Sequence, residues 1–224
     1  MLKLTTPYDY KSLTRTNVDG KRMYVNPWGS PVPSVTTILD QTKPKESREA
    51  LANWRKRVGE KRAHQITTEA ASVGTSMHYI LEQWVKNEPV TDKITLQSKI
   101  MAETVIRNIE NDIDEVWGSE VNLCYPEVYA GTTDLVGVYK GKPTIMDFKQ
   151  TNKPKKREWI DDYFMQGCAY ALAHNHLYNT EIKNIAIFMC SRDCDFQLFE
   201  IDQAQFDKWS LKWTNRVSEF YKIK

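Results

Sequence analysis

The sequence predicts an α/β fold in which a mixed central β-sheet is flanked by helices and preceded by a helical N-terminal part. Three observations predict it. Residues 131–150, GTTDLVGVYKGKPTIMDFKQ, place two apolar, β-branched runs on either side of Lys140-Gly141. That is the pattern of a hairpin whose strands are covered on both faces. Apolar residues at helical spacing run through residues 46–116 and return in 159–177 and 203–221. The order helices, strands, helix, strands, helix then sets helices on both sides of one sheet.

The chain has 224 residues, 41% of them hydrophobic, with seven Trp and eleven Tyr, enough for one domain with a substantial core. It divides into an irregular β lead-in (1–33), a helical part (34–116) and an α/β core (117–224). The net charge of +2 does not announce a nucleic-acid binder, so any such role must rest on local charge. Cys124, Cys168, Cys190 and Cys194 form no CxxC pattern, and free thiols in a reducing compartment are expected. No apolar run approaches the ~18 residues of a membrane span. The first sixteen residues, polar and short of Arg, do not argue strongly for a transit peptide, and none is expected.

In chain order, residues 18–25 read as a turn and strand and 26–31 as a loop. Ser34 is placed to cap a short helix over 35–40. Leu51, Trp54 and Val58 make the apolar stripe of the next helical region. Arg48, Arg55 and Arg62 repeat every seven residues and would share a second face unless Gly59 breaks the helix. That face is either solvated or a row of phosphate contacts. A helix over 68–86 carries Gly74, His78 and Glu82 at i, i+4 and i+8, with the glycine allowing close approach of another backbone. A lone His on a helix is more often structural than a ligand. A third helix is expected over 93–116, burying Met101, Val105, Ile109 and Ile113, then a strand over 120–124. Beyond the hairpin, Lys153, Lys155, Lys156 and Arg157 fill a loop, either bland surface or a seat for a polyanion. The helix over 159–177 aligns Trp159, Tyr163, Gln166 and Tyr170. Strands over 183–191 and 195–201 follow, then a helix over 203–221 with Phe206, Trp209, Trp213, Val217 and Phe220 as packing.

The hairpin carries the chemistry. With a two-residue loop Tyr139 pairs with Lys142, and stepping outward Asp134 comes opposite Asp147. Opposed side chains have Cβ atoms roughly 4.5–5.5 Å apart, and like charges there are destabilising. Lys149 projects from the same face as Asp147. An edge hairpin with solvated charges is the plain alternative. A divalent cation between the carboxylates would turn repulsion into ligation, and oxygen ligands suit Mg2+ or Mn2+. Candidate ligands are His78, Asp134, Asp147 and the carbonyl of Phe148. Lys149 would hold or deprotonate a water or neutralise the phosphorane, Gln166 would fix Lys149, and Glu82 would orient His78 or act through a water. The reaction class is metal-assisted phosphodiester hydrolysis.

Four pieces in order are Gly74-Thr-Ser-Met-His78-Tyr-Ile-Leu-Glu82, Gly131-Thr-Thr-Asp134, Asp147-Phe-Lys149 and Gln166-Gly-Cys-Ala-Tyr170. Together they resemble the RecB-like branch of the PD-(D/E)-x-K nuclease superfamily. A narrower likeness, to the mitochondrial genome maintenance exonucleases, rests on Pro33-Ser-Val-Thr36, on DFKQTNKPK from Asp147 to Lys155 and on the Trp-rich last helix, and covers about residues 33–222. The resemblance implies a restriction-endonuclease-like core that degrades single-stranded DNA from ends with Mg2+ or Mn2+. It implies catalytic His78, Asp134, Asp147 and Lys149, supported by Gln166. The expected activity is thus a DNA exonuclease of replication, recombination or degradation. A structure-specific endonuclease, a non-catalytic DNA-binding module and a metal hydrolase of other substrates are the alternatives. Lys153, Lys155, Lys156, Arg157, Arg55, Arg62 and Tyr170 are the expected DNA contacts. Two departures stand out: Thr133 replaces the superfamily's Pro, and Gln150 follows Lys149 where Thr is frequent. The cysteines do not fit the iron–sulfur relatives, so no cluster is expected. A bacterial or phage version is expected, monomeric and acting in the (host) cytoplasm without a membrane.

Overall fold

The computed structural model describes residues 1–223. Three short strands, β1 (Thr14–Val18), β2 (Lys21–Val25) and β3 (Pro31–Pro33), form an antiparallel sheet. Ser34 then caps α1 (Val35–Gln41), accepting from Thr37 N at 3.0 Å, as its sequence position predicts. Next come α2 (Lys45–Val58), α3 (Glu60–Lys86) and α4 (Leu96–Ile109). The main sheet runs β4 (Ile113–Tyr125), β5 (Tyr129–Tyr139), β6 (Lys142–Thr151), β7 (Asn184–Ser191) and β8 (Phe196–Ile201), with β6 and β7 parallel and the other pairs antiparallel. The parallel pair is joined by α5 (Asp161–Tyr178), and α6 (Gln203–Ile223) follows β8. The protein is therefore α/β, with a five-stranded mixed sheet flanked by helices.

Alternation along the strands divides the core into two layers. Val136, Ile145, Ile185 and Ile187 face α1, α5 and α6, where Phe164, Phe206, Trp209 and Trp213 complete the packing. Leu135, Met146, Phe148, Ala186 and Phe188 face the other way, onto Met77, Leu81, Met101 and Val105 of α3 and α4. Burying one such side chain contributes about 1.5–3 kcal/mol. Both faces of β5 and β6 are covered, so these are central strands and the edge-hairpin alternative falls.

Several expected bounds differ: α3 begins at Glu60 and not at residue 68, and the strand expected over 120–124 runs over Ile113–Tyr125. The helix expected over 93–116 ends at Ile109, and Ile113 opens β4. Asp112 and Asp114 hold the chain extended by gripping the β5–β6 turn: Lys140 N donates to Asp112 O at 2.8 Å and Gly141 N to Asp114 Oδ2 at 2.7 Å. Gly59, at φ +82, does break the helix, so Arg55 and Arg62 lie on different helices. The helix expected from Trp159 begins at Asp161 after a 3₁₀ turn over Arg157–Trp159, and Trp159 stands 61% exposed, outside the buried stripe. Asp161 and Asp162 suit that first turn through the helix dipole. All four cysteines are free thiols. Among the described residues no helix is long and apolar enough to cross a membrane.

Candidate active site

The β5–β6 turn adopts positive φ at Lys140 and Gly141, +48 and +75, the two-residue form whose twist matches the flanking strands. Tyr139 pairs with Lys142, and the ladder runs back to Leu135 opposite Met146. The next pair in that register is Asp134 and Asp147. There the backbone pairing stops, and the Asp134 side chain takes over: Phe148 N donates to its Oδ2 at 2.7 Å. Across the other edge of β5 the register places Glu120 between Ser119, which pairs with Leu135, and Val121, which pairs with Thr133. Three carboxylates from three adjacent strands thus stand in a row across the sheet.

These residues line a cleft of about 630 Å³ together with Gly74, His78 and Glu82 of α3, Lys149 and Gln150 of β6, and Gln166 and Tyr170 of α5. His78 reaches in from α3, its Nδ1 3.5 Å from Asp134 Oδ1. Lys149 forms an ion pair with Asp147 and sits 5.1 Å from the centre of the Tyr163 ring. Glu82 pairs with Lys86 one turn on. Gln166 Nε2 donates to the Tyr170 hydroxyl at 3.2 Å. Gly74 lines the cleft, but an added Cβ would meet Gln150 at an ordinary 3.8 Å, so the expected close backbone approach is not what this glycine provides.

Charge in the site is unevenly compensated. Burial opposes ionisation of Asp134, but His78, Lys149 and the Phe148 N–H outweigh it and hold its carboxyl below the usual range. Asp147 is 4% exposed, and burial, reinforced by Asp134, pushes its carboxyl up to about 6 in spite of Lys149. Its Oδ2 is shut off from solvent and has no directed hydrogen bond among the described residues, only the Lys149 ion pair. Burial, with Asp134 and Glu82 nearby, pushes Glu120 up to about 7. Burial works against charge on both His78 and Lys149, yet the facing carboxylates raise both above their usual values. Carboxylates that hold protons this readily are short of positive charge. Ligand atoms of His78, Glu120 and Asp134 lie within 4.8 Å of one another. Carboxylate oxygens with one imidazole form a donor set that fits a hard or borderline divalent ion.

Glu120 escaped the sequence reading. Its φ is +52, in the left-handed region that non-glycine residues seldom adopt, and irregularities at Ile113/Glu115 and Val116/Gly118 precede it on β4. The one available signal was an acid in a strand next to an acidic hairpin.

The basic residues expected at DNA are placed elsewhere. Arg157 binds Glu200 O at 2.9 Å and Gln205 Oε1 at 2.8 Å and stacks 4.5 Å from the Phe164 ring centre, clamping the turn onto β8 and α6. Lys156 sits over Trp159. Lys155 is tied through its backbone to Gln197 and opens onto a second depression beside α2 and α6. Lys153 and Arg55 are exposed, and Arg62 donates to Gln65 on its own helix. None of these six lines the cleft. Tyr170 does, but it is 3% exposed and packed under Gly131, so it offers no open ring face to a base.

The chain is similar to mitochondrial genome maintenance exonuclease 1 of Xenopus tropicalis, at 29% identity over 213 residues covering 86% of this chain and 58% of that one. The Mus musculus protein of the same name is 27% identical over 202 residues (84% and 59%), and the Homo sapiens protein 26% over 203 residues (84% and 58%). The chain therefore spans a little under three-fifths of the length of these curated relatives. A solved structure from Eubacterium rectale overlaps 66% of this chain and 63% of its own at 15% identity and a TM-score of 0.45. No family model matches the chain. Over most of its length, then, the chain resembles curated proteins that carry the name of an exonuclease.

Proposed function

We propose that this protein is a metal-dependent deoxyribonuclease that hydrolyses phosphodiester bonds of single-stranded DNA from free ends. His78, Asp134, Asp147 and the Phe148 carbonyl, joined by Glu120, are the candidate ligands for Mg2+ or Mn2+. The observation that carries the reading is the convergence of Asp134, Asp147 and Lys149 from two paired strands, and His78 from a helix, on one cleft. The resemblance to exonuclease-named relatives over more than four-fifths of the chain supports the same reaction class.

When bound, a divalent ion would polarise a phosphoryl oxygen and offset the carboxylate charge. The chain's own groups do the positioning. The Phe148 N–H fixes the Asp134 carboxylate, and His78 and Lys149 keep it anionic. Asp147 holds the Lys149 ammonium with the Tyr163 ring behind it. Because both carboxylates favour the charged form of Lys149, its fitting role is to donate to a non-bridging phosphoryl oxygen as negative charge grows there, not to abstract a proton. Tyr170 packs its ring under Gly131 of β5, and Gln166, one turn earlier on α5, holds its hydroxyl.

The test uses linear single strands labelled at the 5′ or the 3′ end, and a circular strand of the same sequence, with Mg2+ and with EDTA. Progressive shortening of the linear strands, resistance of the circle, and loss of cleavage on chelation and in Asp147→Ala and Lys149→Ala are expected. Circles cut as fast as linear strands would replace the exonuclease reading with an endonuclease. Absence of any divalent-dependent cleavage would leave a binding module.

A further inference from the structure

The cleft has a wall the catalytic reading does not use. Arg15 and Arg22, from β1 and β2, line it together with the acidic row. Their placement follows from strand register. Arg15 pairs directly with Tyr24, and Arg22 lies two residues before Tyr24, so all three project from one face of the small sheet. That face is turned into the cleft, because Tyr24 lines it too and its hydroxyl meets Thr132 Oγ1 at 3.1 Å, two residues before Asp134. Arg22 is anchored from the other side: its carbonyl accepts from Ser34 N at 3.0 Å and from Thr37 Oγ1 at 2.9 Å. The small sheet is thus pinned to both α1 and β5.

The two guanidinium groups differ from every other cation on the cleft. Lys149 is engaged by Asp147, and His78 faces Asp134. Neither Arg15 nor Arg22 makes a side-chain hydrogen bond or ion pair with any described residue, and both are exposed. Solvated arginines with no task would not need to share one face, nor to be carried on strands tied to the acidic row. Four carboxylates line the same cleft, so a polyanion entering it is repelled by the floor until something cationic holds its flanks. Guanidinium forks match phosphate oxygens bidentately, and free ones keep all five donors for a ligand.

We infer that Arg15 and Arg22 form a phosphate clamp that grips the backbone of the substrate strand beside the scissile bond, making the N-terminal sheet one wall of the binding site. The inference rests on the nuclease reading above. It replaces the loop at residues 153–157 as the main source of phosphate contacts. Contacts of this kind position a strand without reading its sequence.

The experiment is fluorescence anisotropy of a labelled oligo-dT in EDTA, where nothing is cut, titrated with protein between 50 and 200 mM KCl. Each phosphate contact to a single strand contributes a slope of about −0.7 in log K against log salt. The double variant Arg15→Gln/Arg22→Gln is expected to flatten the slope by about 1.4 and to bind on the order of tenfold more weakly at 0.1 M salt. Lys99→Gln/Lys208→Gln removes the same charge from α4 and α6, away from the cleft, and is expected to keep the wild-type slope. Should the double variant melt earlier than wild type, the single variants Arg15→Gln and Arg22→Gln are measured, each expected to remove half of the effect. If wild type binds the strand and the arginine variants match it in slope and affinity, the clamp is wrong and the nuclease reading stands. If wild type neither binds the strand in EDTA nor cuts it in Mg2+, the nuclease reading fails and the clamp falls with it.

Discussion

Replacing Gly131 with alanine tests whether the hairpin and α5 work as one unit. A Cβ at this position would sit 2.7 Å from Tyr170 Cε1 and 2.9 Å from its hydroxyl, inside any real carbon contact. The ring has no room to retreat: Tyr170 is 3% exposed, and Gln166 holds its hydroxyl at 3.2 Å. Gly131 is not among the positive-φ residues, so alanine meets no backbone strain and the cost is contact alone. Overpacking of this kind costs typically 1–3 kcal/mol, and about 2 kcal/mol is expected here. The strand moves to relieve it, and Asp134 is three residues along, so nuclease activity should fall further than stability. Urea denaturation of Gly131→Ala, Tyr170→Leu and the double variant forms the assay. Leucine removes the ring atoms that the new Cβ would strike, so the double variant should be about 1–2 kcal/mol more stable than the sum of the singles. A cycle that closes within about 0.5 kcal/mol, or a single alanine costing less than that, would refute the contact.

Two further predictions concern titration and metal. His174 is fully buried among Tyr8, Tyr10 and Tyr178, with its ring nitrogens at the Tyr10 and Thr180 hydroxyls, and burial pushes its pKa down to about 4. The unfolded chain therefore binds the extra proton between about pH 6.5 and 4, and stability is lost as pH falls through that window, by about 2.5 kcal/mol at pH 4.5. Chemical denaturation at pH 7.5 and 4.5 should show that loss in wild type and not in His174→Gln; an equal loss in both would refute it. For Glu120→Gln, calorimetric titration with Mn2+ should show affinity lower by about tenfold, as removal of one supporting carboxylate does elsewhere. Unchanged affinity would remove Glu120 from the ligand set.

Much of the central hairpin was legible because its register is a local count. Once Lys140 and Gly141 form the turn, every pair back to Leu135 and Met146 follows by single steps, and Asp134, Asp147 and Lys149 fall on one face. The apolar stripes of α4 and α6 were legible for the same reason, and Ser34 marked the start of α1 as a cap. Legibility failed where a local rule met a competing contact. Ile113 continues the helical spacing of Met101, Val105 and Ile109, but the grip of Asp112 and Asp114 on the hairpin turn draws that stretch into β4. Arg157 looked like a free phosphate ligand in a basic loop, yet carbonyl and amide partners on β8 and α6 occupy it.

The sequence by itself determined that an acid, an acid and a lysine share a sheet face, because the two-residue turn fixes the hairpin register and alternation along each strand does the rest. Tertiary structure alone decided that Glu120 completes the row, since each strand irregularity turns every later side chain to the opposite face and no local pattern announces it. It alone decided that Arg15 and Arg22 share a cleft with that row, their sheet joined to β5 by a Tyr24–Thr132 contact spanning 108 residues. Contacts over such separations come from packing two layers together, which no spacing within either segment encodes.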